Sequence, residues 1–371
     1  MNVAQRLHPV LDVARYNAEH VDLAAEFPKE GVEALRASGL LGLTLPTEVG
    51  GLGGGPVELV EALSSLASAC GSTAMVYLMH ISAAMAVAKS PPPGDPELLH
   101  DLASGRRLAS LALSEKGSRS HFWAPVSRCT QEGDQLRLRA DKSFVTSAGH
   151  ADLYLTSTLS PTGGPTETSF IAIPAGTPGL DVVGAFTGLG LRGNASSPMT
   201  IDSTVAESYR LPAAGFALTF EVVLPWFSLG NAAVSLGLAQ GALDLAIGHV
   251  SRARLEHEGT TLAELPTVRA RVARAGVAVA VHRAYIEATA RSIAAPDEAT
   301  MTHVLGVKAT ANEMALGVTD EAMRVCGGAA FARSLPVERY FRDARAGAVM
   351  APTSDVLFDF YGRAVTGLPL F

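Results

Sequence analysis

Between about Arg107 and Leu211 the chain is written in short runs, and on either side of that stretch in long ones. RLASLALS, DQLRLRADKSFVTSAG, DLYLTSTLS, TSFIAIPA, LDVVGAF and MTIDSTVAES are rich in β-branched residues and separated by Gly, Pro, Ser and Thr. That is the pattern of a strand region. Before it, VLDVARYNAEHVDLAAEF and KEGVEALRASGLLG place apolar residues at helical spacing, and the second stops on glycine. PVELVEALSSLASAC and STAMVYLMHISAAMAVAKS read as two more apolar helices, and PELLHDLASG as a short one. After Leu211 long helices return over about Val222–Arg252, Leu265–Ala294 and Glu298–Cys326, with a last one from about Thr353. Strands gathered between two sets of helices exclude alternating β-α-β units and imply an α+β chain with segregated parts. We expect helices over residues 1–106, a small antiparallel barrel or sandwich over 107–215, and a helical bundle over 216–371.

Composition narrows the function classes. The chain of 371 residues is long enough to bury a sizeable core. Its net charge is −7 with no basic block, so nucleic-acid binding has no electrostatic footprint. Cys70, Cys129 and Cys326 are odd in number and far apart, against both a disulfide framework and a metal site. MNVAQRLHPVLDVARYNAEH is amphipathic and charged throughout, unlike a signal peptide. Leu229–Leu243, the longest apolar stretch, is interrupted by Asn231, Ser235 and Gln240 and reads as a buried helix, not a membrane span. A cytoplasmic location is the expectation. The glycine-rich GGLGGG at Gly50–Gly55 has neither a strand before it nor a Gly-Lys-Ser/Thr, so it reads as a structural loop rather than a phosphate cradle.

Six segments in order carry a resemblance: LRASGLLGLTLPTEVGGLGGG, ALSEKGSRSHFWAP, DKSFVTSAGHADLYL, GLGLRGNASSPMTIDSTV, LGLAQGALDLA and RVCGGAAFARSLPVERYFRDAR. Together they resemble the acyl-CoA dehydrogenase superfamily over some 330 residues. The resemblance implies a helical N-terminal domain, a middle antiparallel β-domain, a C-terminal four-helix bundle and an FAD cofactor. It implies that Ser114 and Thr146 offer hydroxyls to the flavin ring and that Phe144 packs against it, although a strand hydroxyl also serves simply to satisfy backbone. Arg324, Gly327 and Gly328 match positions that touch a neighbour's FAD, and Thr353 a position near the adenine. A homodimer or homotetramer follows, with a flavin reductase or an electron-transfer flavoprotein as redox partner. Two departures stand out. Where the family carries R-x-x-F-G after the first bundle helix, this chain has SRARLEHEG, with Leu255 at the arginine and Glu258 at the aromatic.

The second departure is the base. In the family a glutamate in E-G-T removes a proton next to the thioester carbonyl, and here Ala351-Pro352 stands at that place. A minority position at the start of the first bundle helix falls near Phe227, where the nearest carboxylate is Glu221. Weak replacements are Asp355, one helical turn on and equally a helix-stabilising first-turn carboxylate, and the histidines His80 and His121. A lone histidine on an apolar helix is more often a core residue. Ser120, His121 and Trp123 could shape a pocket for a flat substrate or belong to ordinary packing. Three readings follow: an oxygen-using, monooxygenase-type flavoenzyme on an aromatic or CoA-linked substrate of secondary metabolism; an acyl-CoA dehydrogenase with a relocated base; and a non-catalytic or half-site subunit paired with an active homologue.

Overall fold

The computed structural model describes residues 3–119, 121–164 and 166–370. Helices come first: α1 (Val3–Ala24), α2 (Lys29–Ser38), α3 (Pro56–Ala69), α4 (Gly71–Lys89) and α5 (Leu98–Ala103). α2 ends on Gly39 at φ 75°, the left-handed turn that a glycine makes without strain. α3 starts with Pro56 in its first turn, and the Glu58 carboxylate accepts the Gly55 N–H ahead of it. α4 is buried almost all round, as a helix apolar on every face must be.

The strand region holds β1 (Ala109–Ala112), β2 (Thr130–Glu132), β3 (Gln135–Val145), β4 (Leu153–Leu159), β5 (Thr168–Pro174), β6 (Leu180–Val182) and β7 (Ser197–Ala206). They form two sheets, ordered β1-β4-β5 and β2-β3-β7-β6. Leu136 and Leu138 of β3 and Ile201 and Val205 of β7 pack against Ile171 and Ile173 of β5, so the sheets face each other as a sandwich. The opposite face of the smaller sheet, with Leu153, Leu155 and Phe170, joins the helical core. That explains why β4 and β5 are buried on both faces. The antiparallel expectation needs one correction, since β1 runs parallel to β4. The chain leaves β1, builds β2 and β3 in the other sheet, and returns; a parallel pair requires such a long crossover.

The C-terminal part begins with α6 (Gly215–Ala217) and a π-helical segment, Leu218–Val223, which runs directly into α7 (Leu224–Val250). Two residues account for the wide turn. Pro225 has no N–H to give to the Glu221 carbonyl, and the Thr219 hydroxyl bonds back to Gly215 O at 2.8 Å. A small hairpin, β8 (Arg254–Leu255) with β9 (Thr260–Thr261), occupies the altered SRARLEHEG stretch. Then come α8 (Pro266–Ala294), α9 (Thr300–Cys326), α10 (Gly328–Phe331), α11 (Val337–Val349) and α12 (Ser354–Thr366). α7 lies at the centre, touching α3 and α4 on one side and α8, α9 and α11 on the other. By length and composition α4 and the helical run Gly215–Val250 could each cross a membrane, but they are 89% and 94% buried inside the fold, which makes them core helices. The periodicity reading placed α7, α8, α9 and α12 closely and missed α11 and the three-residue edge strand β2.

Candidate active site

A cavity of about 620 Å³ opens between the sandwich, α7 and α11. On the strand side it is lined by Ser114, Phe144 and Thr146, followed by Asn194 and Ser196 from the loop before β7. The register of β3 against β7 breaks between Lys142 and Val145. Phe144 sits in that bulge at φ 53°, which turns its ring out of the sheet to the cavity mouth, 73% exposed. Thr146 is buried, with its hydroxyl 3.4 Å from that of Ser196. Asn194 is also buried, and among the described residues its Oδ1 has no partner. A buried amide oxygen facing a cavity without a donor is an acceptor waiting for a ligand.

The helical side is different in kind. Val223 and Phe227 come from the π segment and α7, while Arg342, Arg345, Ala346, Val349, Met350 and Ala351 come from α11 and the turn after it. Arg342, Arg345, Ala346 and Val349 share one face of α11, spaced by three, four and seven residues. Arg342 is committed elsewhere, to Asp22 at 2.5 Å and Glu338 at 2.6 Å. The neighbouring Asp343 accepts the Leu191 N–H at 2.6 Å and so ties the cavity loop Gly188–Leu191 to α11. Burial pushes its carboxyl up to about 6. Arg345 stacks on the Phe341 ring, 3.8 Å from its centroid, and among the described residues has no carboxylate within ion-pair distance.

Among the described residues one carboxylate reaches the cavity wall, and it is spent. Glu115 accepts Lys142 Nζ at 2.7 Å, the N–H groups of Val126 and Ser127 at 2.6 and 2.7 Å, and the Ser127 hydroxyl at 2.5 Å. Burial works against its charge, but Lys142 and these donors outweigh it and hold the carboxyl below its ordinary range. No histidine lines the cavity among the described residues. Where the base was sought, Ala351 presents a methyl group.

The replacement bases do not come to this site. His80 is fully buried, taking the Ala109 N–H on Nδ1 and giving its Nε2 proton to Leu41 O, both at 3.0 Å. Both ring nitrogens are occupied, and burial lowers its pKa to about 4. It stitches α4 to β1 and to the turn after α2. Asp355 is exposed on α12, Glu221 is exposed on the π segment, and neither lines the cavity. His121 is exposed and meets Trp123 edge-on. Trp123 packs among Phe122, Phe220 and Phe360, joining the β-region to the bundle behind the cavity wall. Ser120 lies outside the described residues. Arg324 is exposed and paired with Asp320 at 2.6 Å, and Gly327 and Gly328 follow it at the end of α9. Thr353, half-buried, precedes α12, where its carbonyl accepts the Leu357 N–H. None of these four lines the cavity of its own chain. Asn194, Ser196 and Arg345 have no signature in the sequence, because a polar residue in a loop such as GNASS or an arginine in a charged run such as RDAR carries no signal of its direction.

Models of the acyl-CoA dehydrogenase N-terminal, middle and C-terminal domains match residues 10–91, 110–204 and 214–366. The chain belongs to the acyl-CoA dehydrogenase family. It is a flavin-dependent oxidoreductase with FAD as its cofactor, and the orphan Asn194 oxygen, the Thr146 and Ser196 hydroxyls and the Phe144 ring fit a flat heterocycle that has both donor and acceptor edges. The chain is similar to a probable acyl-CoA dehydrogenase, YngJ, of Bacillus subtilis, at 26% identity over 92% of this chain and 90% of the relative. It is similar at 28% identity to the acryloyl-CoA reductase (NADH) of Anaerotignum propionicum, over 91% and 87%. Among solved structures, butyryl-CoA dehydrogenase from Megasphaera elsdenii superposes with a TM-score of 0.89 at 21% identity, covering 99% of both chains. FMN-bound TdsC from Paenibacillus sp. A11-2 superposes with a TM-score of 0.87 at 23% identity, covering 99% of this chain and 98% of that one.

Proposed function

We propose that this family member is an oxygen-using flavoenzyme that does not begin by removing a substrate proton with a carboxylate. The observation that carries this reading is that Glu115, the one carboxylate lining the cavity among the described residues, is ion-paired with Lys142, while Ala351, matched by sequence to the place of the base, offers only a methyl group. Removing a positioned base costs on the order of 10²–10⁴-fold in rate, so an efficient proton-abstracting dehydrogenase is poorly served by these walls. Thr146, Ser196 and Asn194 would hold the polar edge of the flavin, and Phe144 would cover its ring at the mouth. When bound, that group supplies the two-electron chemistry; the chain's residues orient the substrate and exclude water. Arg345, stacked on Phe341 and without a carboxylate partner among the described residues, gives a chain of net charge −7 a locally positive cavity wall, which suits an anionic cofactor or substrate group. An aromatic or CoA-linked substrate is consistent with the mainly apolar helical wall. TdsC is also known with FMN and indole together.

The redox partner in this reading is a flavin reductase, with an electron-transfer flavoprotein as the alternative for a dehydrogenase. We further propose a homodimer or homotetramer, in which Arg324, Gly327, Gly328 and Thr353 serve a neighbour's cofactor, and a cytoplasmic location. The test is anaerobic mixing of the FAD-loaded protein with butyryl-CoA and longer saturated acyl-CoA thioesters. The flavin should keep its colour on the time scale of a dehydrogenase turnover, and the reduced protein should consume oxygen in a substrate-dependent way. Rapid bleaching with formation of a 2-enoyl product would overturn the proposal. The dehydrogenase with a base relocated to Asp355 draws no support from an exposed side chain outside the cavity. A yellow protein with about one FAD per chain would count against a half-site subunit.

A further inference from the structure

Beneath the turn that carries Ala351 lies a lysine that the proposed chemistry does not use. Lys308, in the middle of α9, is completely buried. Its Nζ donates to three backbone carbonyls, Gly347 O at 3.0 Å, Met350 O at 3.0 Å and Pro352 O at 2.9 Å. An ammonium has three protons, and all three are used here on six consecutive residues of one segment. Among the described residues no carboxylate pairs with it. The carbonyls belong to the C-terminal end of α11 and the turn beyond, where helix carbonyls lack intrahelical partners and the helix dipole favours a cation. One turn further along α9, Asn312 donates to the same Gly347 O at 2.8 Å and accepts the Ser235 hydroxyl from α7 at 2.7 Å. Gly347 leaves no room for a side chain there, because a Cβ would collide with Asn312 Oδ1. Burial draws the Lys308 pKa down to about 7. Such a group is an expensive thing to keep inside a helical bundle merely for packing.

We propose that Lys308 is a positioning residue for the cavity: it pins the Gly347–Pro352 backbone so that Val349, Met350 and Ala351 face the ligand in one fixed arrangement. The contacts bracket Ala351 on both sides, since Met350 O and Pro352 O are both held. The side chain itself does not line the cavity, so it acts through the turn. This inference does not depend on which oxidant or substrate the enzyme uses.

The test reads the turn directly. Ala351→Cys puts a thiol in the cavity wall, and the native Cys70, Cys129 and Cys326 are all buried and act as slow internal references. The full-length protein is labelled with N-ethylmaleimide and each site is followed by mass spectrometry. Adding Lys308→Met should raise the labelling rate at position 351 by roughly tenfold or more, as expected for local opening, while Cys326 on the same helix keeps its rate. Lys308→Gln, which retains two N–H donors, should restore part of the protection. An unchanged rate at 351, or a rise matched at Cys326, would overturn the proposal. Should Lys308→Met fail to fold, Lys308→Gln is read in the same way. The unmodified protein offers an independent check. With lysine side-chain nitrogens labelled, NMR at pH 6 should show two exchange-protected ammonium signals, from the buried Lys142 and Lys308. A single protected signal would refute the pinned arrangement.

Discussion

The two walls of the cavity spend their polarity in opposite directions. The strand wall turns its hydroxyls and the orphan Asn194 oxygen toward the ligand. The helical wall is mainly apolar toward the cavity, with Arg342 and Arg345 as its polar members, and hides Lys308, Asn312 and Ser235 behind its backbone. Polar groups aimed inward recognise and tune a cofactor; polar groups aimed outward hold a shape. The resemblance places Ser114, Phe144 and Thr146 on the first wall and Ala351 on the second, and all four line the cavity. In the proposed reading the second wall keeps the supports of a proton-abstracting site without its carboxylate.

The largest test of that contrast restores the group. Ala351→Glu places a carboxylate on the pinned turn, and flavin reduction by butyryl-CoA under anaerobic stopped flow should quicken by on the order of 10²-fold. No gain would mean that the wall differs from a dehydrogenase in more than one side chain. Next in size is the polar knot behind the strand wall. Glu115→Gln strands the buried Lys142 charge and should cost about 3–5 kcal/mol in urea unfolding; a loss under 1 kcal/mol would show that the pair is dispensable.

His80 gives a comparable effect through pH. Its folded pKa of about 4 lies below the unfolded value near 6.5, so the unfolded chain binds the proton first as pH falls. The stability it supports is intact above pH 6.5 and is lost between 6.5 and 4, by on the order of 3 kcal/mol. Asp343, with its carboxyl raised to about 6, acts with the opposite sign over much of that range. The measurement is therefore the difference in denaturation curves between the parent and His80→Gln, and parallel pH profiles would contradict the neutral, doubly bonded ring. Smaller still is Thr146→Val, which removes one cavity hydroxyl and should weaken FAD binding roughly five- to tenfold, about 1 kcal/mol, by fluorescence titration. Asp355→Asn added to Ala351→Glu should leave flavin reduction by butyryl-CoA unchanged; a loss would make Asp355 a participant in proton removal.

Much of the scaffold was legible because α7, α8 and α9 are long and repeat their pattern many times. α11 was hidden by its charges. In RYFRDAR they obscure the apolar periodicity of a helix, yet Arg342 binds Glu338 four residues back on the same helix and Asp22 across the fold. The parallel pairing of β1 with β4 was invisible because local alternation of residues does not reveal a partner's direction. For the site, Ser114, Phe144 and Thr146 were reached through family resemblance, and the emptiness at Ala351 through alignment with it. Lys308 gave no sequence signal. A lone lysine among apolar helical residues ordinarily snorkels to solvent, and only the chain folding back at Gly347–Pro352 reveals what it holds.

The π segment at Leu218–Val223 adds a different kind of freedom. Such a turn is a helix carrying one residue more than its span requires. Removing one residue from it should let the turn tighten while Phe227, on α7, stays at the cavity edge. At this spot chain length, rather than side-chain identity, is the variable, and the pocket has a seam along which it can be retailored without being unpicked.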